Sequence, residues 1–181
     1  MTDLFSLYRM VWAALLAALI GAGAFISIPV PVSPIPVTLQ DMFLVLAGLL
    51  LGPRYGLLAL ALYIAAGAIG LPVFSGGKGG VGVLAGPTGG YFIGFIVVVA
   101  VSAWARRLRP LFCGLVALGA ILLMLFLGSL RLGQFMDIPL LQALGIGFLP
   151  FVPGSLLKVP AALAIYKFMQ KNRLVPYDSG R

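Results

Sequence analysis

Histidine and glutamate are absent, cysteine occurs once, and aspartate supplies all four acids against 12 lysines and arginines. Each shortage removes a class of function. Without histidine there is no imidazole base, no His metal site and no Ser-His-Asp triad. A single Cys113 cannot form a disulfide within the chain, and inside an apolar run it reads as a core residue. The acids Asp3, Asp41, Asp137 and Asp178 are scattered, so no carboxylate cluster offers acid–base catalysis or a metal site. Lys78 lies in Ser-Gly-Gly-Lys-Gly-Gly, yet position 72 is Pro and position 79 is Gly. A phosphate-binding P-loop needs Gly at the first of these and Ser or Thr at the second. The inventory argues against an enzyme, against ATP hydrolysis and against any resident cofactor or metal.

Charge of either sign is also scarce. Charged residues make up 9% and hydrophobic residues 62%, against about 25% and 45–50% in soluble domains. So much apolar surface needs lipid as its solvent. A net charge of +8 would suggest nucleic acid on a soluble protein. Here the basic residues fall between apolar runs, and they report topology instead.

A spanning helix needs about 20 apolar residues. Stretches 11–28 and 111–130 meet that length, and 55–73 does so with glycine breaks. Stretches 38–51, 91–105 and 156–169 are shorter, and need flanking residues or a loop packed within the bundle. The first run is too long for a typical signal-peptide core and lacks a small-x-small cleavage site, so it reads as a retained helix. The pattern predicts an all-α integral membrane bundle of six helices over about 8–28, 38–52, 54–71, 88–107, 110–131 and 154–171, in one domain covering 1–181. With both termini cytoplasmic, Arg9, Arg54, Arg106, Arg107, Arg109, Lys167, Lys171, Arg173 and Arg181 lie inside and only Lys78 and Arg131 outside, nine against two. The proline-rich loop 29–36, the glycine-rich loop 70–90 and the mixed segment 131–153 then share the outer face. Non-helical backbone at membrane depth is tolerated only where protein or a cavity satisfies it, so these loops point to an outward-facing cavity.

Several residues stand out. Lys158 lies near the outer end of the last helix. Ionisable groups there face a cavity or snorkel to the headgroups, and spacing leaves both open. Ser155 sits one turn earlier on the same face. Asp41 stands at N3 of a helix capped by Thr38, a capping-box arrangement, and reads as a cap before a ligand contact, while Gln40 stays open. Lys78 reads as a solvated loop charge first and a ligand contact second. Gly48 and Gly94 read as packing positions. Around Gly86–Gly90, at the start of helix four, unpaired N–H groups are an alternative seat for an anion. Ala13, Ala14, Ala17 and Ala18 form small-xxx-small faces, for packing within the chain or for a second membrane protein.

Together, Ile-Pro-Val-Pro-Val-Ser-Pro-Ile-Pro-Val-Thr-Leu-Gln (28–40), Ala-Gly-Leu-Leu-Leu-Gly-Pro-Arg-Tyr-Gly (47–56), Gly-Leu-Pro-Val-Phe-Ser-Gly-Gly (70–77), Gly-Pro-Thr-Gly-Gly-Tyr (86–91) and Pro-Gly-Ser-Leu-Leu-Lys (153–158) resemble the BioY family. These are the biotin-specific S components of energy-coupling factor transporters. The resemblance implies a six-helix S component in a bacterial or archaeal cell membrane, surrounded by lipid. It implies biotin as the transported ligand and as partners a transmembrane coupling subunit and two ATPases, docked through the alanine face of helix one. It further implies ligand contacts from Lys158 and Ser155; on chemistry alone, an apolar ligand with a few polar groups suits Val73, Phe74 and Tyr91 as walls and Thr88, Ser75 and loop N–H groups as polar contacts. One departure stands out: the family's last-helix motif usually reads Pro-Gly-Asp-x-x-Lys, and Ser155 replaces the acid. Ser155 then binds less tightly, another acceptor has taken over, or the ligand is a different vitamin-like solute.

Overall fold

The computed structural model describes residues 2–175; Asp178 and Arg181, counted above, lie outside the described residues. The architecture is helical. It comprises α1 (Thr2–Phe25), α2 (Gln40–Ala68), α3 (Val81–Ala85), α4 (Gly89–Ala105), α5 (Pro110–Met136), α6 (Leu140–Gly147) and α7 (Val152–Lys171), with a 3-10 turn at Leu149–Phe151 before α7. Among the described residues four helical stretches are long and apolar enough to cross a membrane: Ser6–Phe25, Gln40–Ala68, Pro110–Met136 and Leu140–Lys171. Their outward faces stay apolar, as at Leu141, Leu157 and Leu111, which suits a lipid surround.

The 29 residues of α2 would measure about 44 Å as one straight helix. They fold back instead. Gly52 has φ 74° and ψ −174°, outside the helical region, and Pro53 follows it. A Cβ at Gly56 would lie 3.0 Å from the Ala47 carbonyl oxygen, and the Gln40 side chain donates to the Tyr63 hydroxyl, 23 residues on. α2 is therefore a helical hairpin with arms 40–51 and 53–68. The first arm is about 18 Å long, short of the roughly 30 Å hydrocarbon layer. The segment 26–39 precedes it.

That segment holds a strand pair. α1 stops at Phe25, and Ser27–Ile28 pairs antiparallel with Val37–Thr38, closing the proline loop 29–36 into a hairpin. Leu39 N–H donates to the carbonyls of Gly23 and Ile26, locking the loop's end to α1. The expected Thr38 cap is not formed: Leu39 occupies the cap position with no side-chain cap bond. Thr38 is spent on the strand pair, and Asp41 has another partner, described below. The other boundaries shift for visible reasons. α5 continues to Met136, where Asp137 ends it in a left-handed conformation (φ 54°). Arg131 therefore lies on a helix and not in a loop.

α2 packs on α1, α4 and α7, and α4 and α7 also pack on α5. Leu44, Leu49, Ala59, Val98, Val99 and Ile121 form the sealed centre. At the Gly52 turn, Arg9 and Arg54 each stack on the Tyr55 ring at 5.8 Å, with the Arg106 guanidinium beside Gly52. Three residues assigned to the inner face thus meet at one end of the bundle, one arm-length from Asp41.

Candidate functional site: a cavity around Lys158

The opposite end of the first arm opens into a cavity of about 300 Å³, at the small end of the range for ligand pockets. Its walls come from every part of the chain that the sequence marked as irregular. Pro34, Ile35 and Pro36 of the proline loop cover it, Phe74, Ser75 and Lys78 enter from the glycine-rich loop, and Tyr91, Phe92 and Phe95 project from α4. Ring contacts run continuously along one wall: Tyr63 to Phe74 at 5.6 Å, Phe74 to Phe92 at 4.9 Å and Phe92 to Phe95 at 5.2 Å, all edge-on. Edge-to-face pairs of this kind fix ring positions, so the wall is preformed. Phe74 is held there by Gly67, where a Cβ would overlap its ring. On the other side the Tyr91 hydroxyl donates to the Gly147 carbonyl at 2.7 Å, tying α6 to α4.

The polar groups gather at the buried end. Lys158 is 8% exposed and Asp41 7%. The Lys158 ammonium donates to Asp41 Oδ1 at 2.7 Å and to the Thr38 carbonyl at 2.8 Å. The amine lies in the cavity lining. α7 delivers it there because Pro153 sits in the first turn of the helix and Gly154, with no side chain, lets the lysine fold over its backbone. A Cβ at Gly154 would lie 3.3 Å from Lys158 Cε and 3.7 Å from Nζ. Taking two charges out of water costs several kcal/mol each, and close pairing with added hydrogen bonds must offset it.

The sequence candidates fall into three groups. Lys158, Gln40, Tyr91, Thr88, Ser75 and Lys78 all line the cavity. Lys78 is exposed at the rim, and Ser75 Oγ is buried with no hydrogen-bond partner among the described residues. Thr88 is half committed, its hydroxyl donating to the Val83 carbonyl at 3.2 Å. Ser155 is not among the lining residues: it is fully buried and its hydroxyl donates to the Phe151 carbonyl at 3.0 Å within its own helix. The alanine face divides as well. Ala13 is buried in the core, whereas Ala14 and Ala18 face outward. Around Gly86–Gly90 the N–H groups of Gly89 and Tyr91 donate to the carbonyls of Gly86 and Thr88, and a Cβ at Gly90 would lie 2.4 Å from the Leu127 carbonyl oxygen. Close packing therefore accounts for Gly90. Asp41 is the main residue that sequence reasoning misplaced. Phe92, Phe95, Met124 and Phe151 were missed because an aromatic or methionine in an apolar helix carries no mark of the face it will take.

The profile of the BioY family matches residues 1–174. This chain belongs to the BioY family. Among BioY relatives, the "Biotin transporter BioY" of Thermotoga maritima is 39% identical over 165 residues, covering 90% of this chain and 96% of that protein. The "Probable biotin transporter BioY" of Pyrococcus horikoshii is 38% identical over 160 residues, covering 88% and 94%. A crystal structure described as the S-component for biotin from an ECF-type ABC transporter superposes on this BioY chain with a TM-score of 0.87 at 29% identity, covering 94% of this chain and 95% of that one.

Proposed function

We propose that the chain is a biotin-capturing membrane subunit: it takes biotin from the outer face and delivers it to an ATP-driven coupling module. The observation that carries this reading is the buried Lys158 at the end of an aromatic-walled cavity in a member of the BioY family. Biotin's fused rings and valeryl chain match the apolar walls. Its ureido carbonyl meets the amine of Lys158, and its carboxylate lies toward the rim, near Lys78 and Ser75. Charge supports the pairing. Lys78 and Lys158 against Asp41 leave the lining with one net positive charge, the complement of a monoanion. As a family transporter the chain binds and moves its ligand and transforms nothing.

In this reading six spans arise from α1, the two arms of α2, α4, α5 and α7, within a single membrane domain. The Arg9–Arg54–Arg106 end lies in the cytoplasm, with both termini, and the cavity opens outward from the cell membrane of a bacterium or archaeon. The outward Ala14 and Ala18 face docks a transmembrane coupling subunit, which carries two ATPases.

Purified protein is expected to unfold at a higher temperature with biotin present, and mass spectrometry of the co-purified small molecule should return biotin. A different vitamin in that spectrum would replace this reading. Ser75→Ala is a sharper check. Its unpartnered oxygen contributes nothing to the fold, so the thermal midpoint without ligand should stay put while biotin affinity falls about tenfold, the worth of one hydrogen bond. Unchanged affinity would remove Ser75 from the site.

A further inference from the structure

Asp41 does more than neutralise a lysine. We infer that Asp41 and Lys158 act together as a specificity filter that reads an N–H group and a carbonyl side by side, with Asp41 as the ligand's acceptor. The inference rests on the biotin reading above and deepens it.

Donor and acceptor counting carries the argument. An ammonium has three N–H donors and no acceptor. Two are taken, by Asp41 Oδ1 and the Thr38 carbonyl, which leaves one for the cavity. An ionised carboxylate only accepts, with about four lone-pair sites; Lys158 occupies one at Oδ1, and the backbone N–H groups of Asp41 and Met42 also donate to it, which leaves room for one more donor. Both side chains line the cavity. The adjacent pair therefore offers one donor and one charged acceptor, the complement of an amide or urea edge. Gln40 extends the pattern. Its Nε2 spends one of two N–H donors on the Tyr63 hydroxyl, which leaves one N–H and the carbonyl oxygen; the oxygen suits a second ligand N–H. Among the described residues no other carboxylate lines the cavity, and Ser155 turns its hydroxyl into its own helix. The charged acceptor comes from α2, 117 residues away from the lysine it accompanies.

The filter has a consequence for selectivity. A site that buries polar groups to meet an N–H rejects a ligand lacking it, because its own acceptor is then left unpaired. Asp41 should discriminate against ligands blocked at the ureido nitrogens far more than against changes in the side chain.

The test uses the full-length protein in detergent or nanodiscs and measures dissociation constants for biotin, desthiobiotin and the two N-methylated ureido isomers of biotin. Wild type should bind biotin and desthiobiotin within about tenfold of each other, and at least one N-methyl isomer about 10- to 100-fold more weakly than biotin. Asp41→Asn should weaken biotin by about 10- to 100-fold and shrink the gap between biotin and the N-methyl isomer. A role for Asp41 confined to balancing Lys158 would lower affinity for all ligands alike and leave that gap as it was, which overturns the inference. A second variant, Asp41→Asn with Ser155→Asp, returns an acid one helical turn from Lys158 and should restore part of both affinity and gap. Where Asp41→Asn does not fold, wild type decides alone: equal binding of biotin and both N-methyl isomers overturns the filter. Wild type that binds no biotin overturns the uptake reading along with it. Biotin binding without discrimination sinks only the role given to Asp41.

Discussion

Lys158→Met should lose about 100-fold or more in biotin affinity and also lower the stability of the ligand-free protein. The two effects have separate causes. Biotin loses a charge-assisted donor to its ureido carbonyl, worth roughly 1.5–3 kcal/mol, and the lining loses the net positive charge that complements a monoanion. Stability falls because Asp41 is stranded. Removing one member of a buried pair costs about 3–5 kcal/mol, most of it from the charge left behind, and the Thr38 carbonyl loses its 2.8 Å partner as well. A compensated variant separates the two. Asp41→Leu with Lys158→Met removes both charges, and replacing a whole buried pair with apolar groups is often neutral or stabilising. This double variant should recover the thermal midpoint of wild type and still fail to bind biotin. That combination would mark the ion pair as a feature kept for the ligand at no benefit to the fold. Thermal unfolding and a biotin titration on the three proteins decide it; Lys158→Met binding within about threefold of wild type would end the argument for this cavity.

The contrast between Lys158 and Asp41 shows how far the sequence reaches. Lys158 was legible because a charge in an apolar span is costly wherever it points, and the spacing needed only a cavity to complete it. Asp41 was misread because its local frame, Thr38 three residues earlier at an apolar helix start, has the form of a cap. Helix capping is a local interaction; the pairing with a lysine on α7 is not, and nothing near residue 41 announces it. Gly52 is the opposite case: the expected helices 38–52 and 54–71 leave a break at residue 53, and the turn is there. The strand pair of Ser27–Ile28 with Val37–Thr38 left no trace, since two residues per strand cannot show a period. The cavity's position was readable from three irregular loops falling on one face, while its aromatic wall depended on which side each phenylalanine takes. Ser155 taught the reverse lesson. The chain's one departure from its family motif looked like a weakened contact, and the hydroxyl is spent on a helix carbonyl.

Gly48→Ala is expected to damage the protein, and the reason lies in what the methyl meets. A Cβ at Gly48 would sit 2.4 Å from the Val99 carbonyl oxygen, 2.8 Å from Ser102 Cβ and 2.9 Å from the Ala103 amide nitrogen. None of these atoms can rotate aside, since two are backbone and the third is fixed to it. The first arm of α2 and α4 must separate. Overpacking of this kind costs about 1–3 kcal/mol, or roughly 3–10 °C in thermal midpoint for a chain of this size. In lipid, helices gain little from hydrophobic association and rely on close backbone approach, so the loss has no ready replacement. It also reaches the site: the first arm carries Gln40 and Asp41, α4 carries Tyr91, Phe92 and Phe95, and moving one from the other pulls the polar end of the cavity away from its aromatic wall. Gly119→Ala is the matched control. It adds the same methyl to an apolar helix, α5, with nothing within 4 Å, and should leave midpoint and biotin affinity unchanged. Equal behaviour of the two variants would mean that the α2–α4 contact is looser than these distances require. Gly48→Val, with two further methyl groups at the same contact, should then be the deciding case: no folded, biotin-binding protein is expected from it.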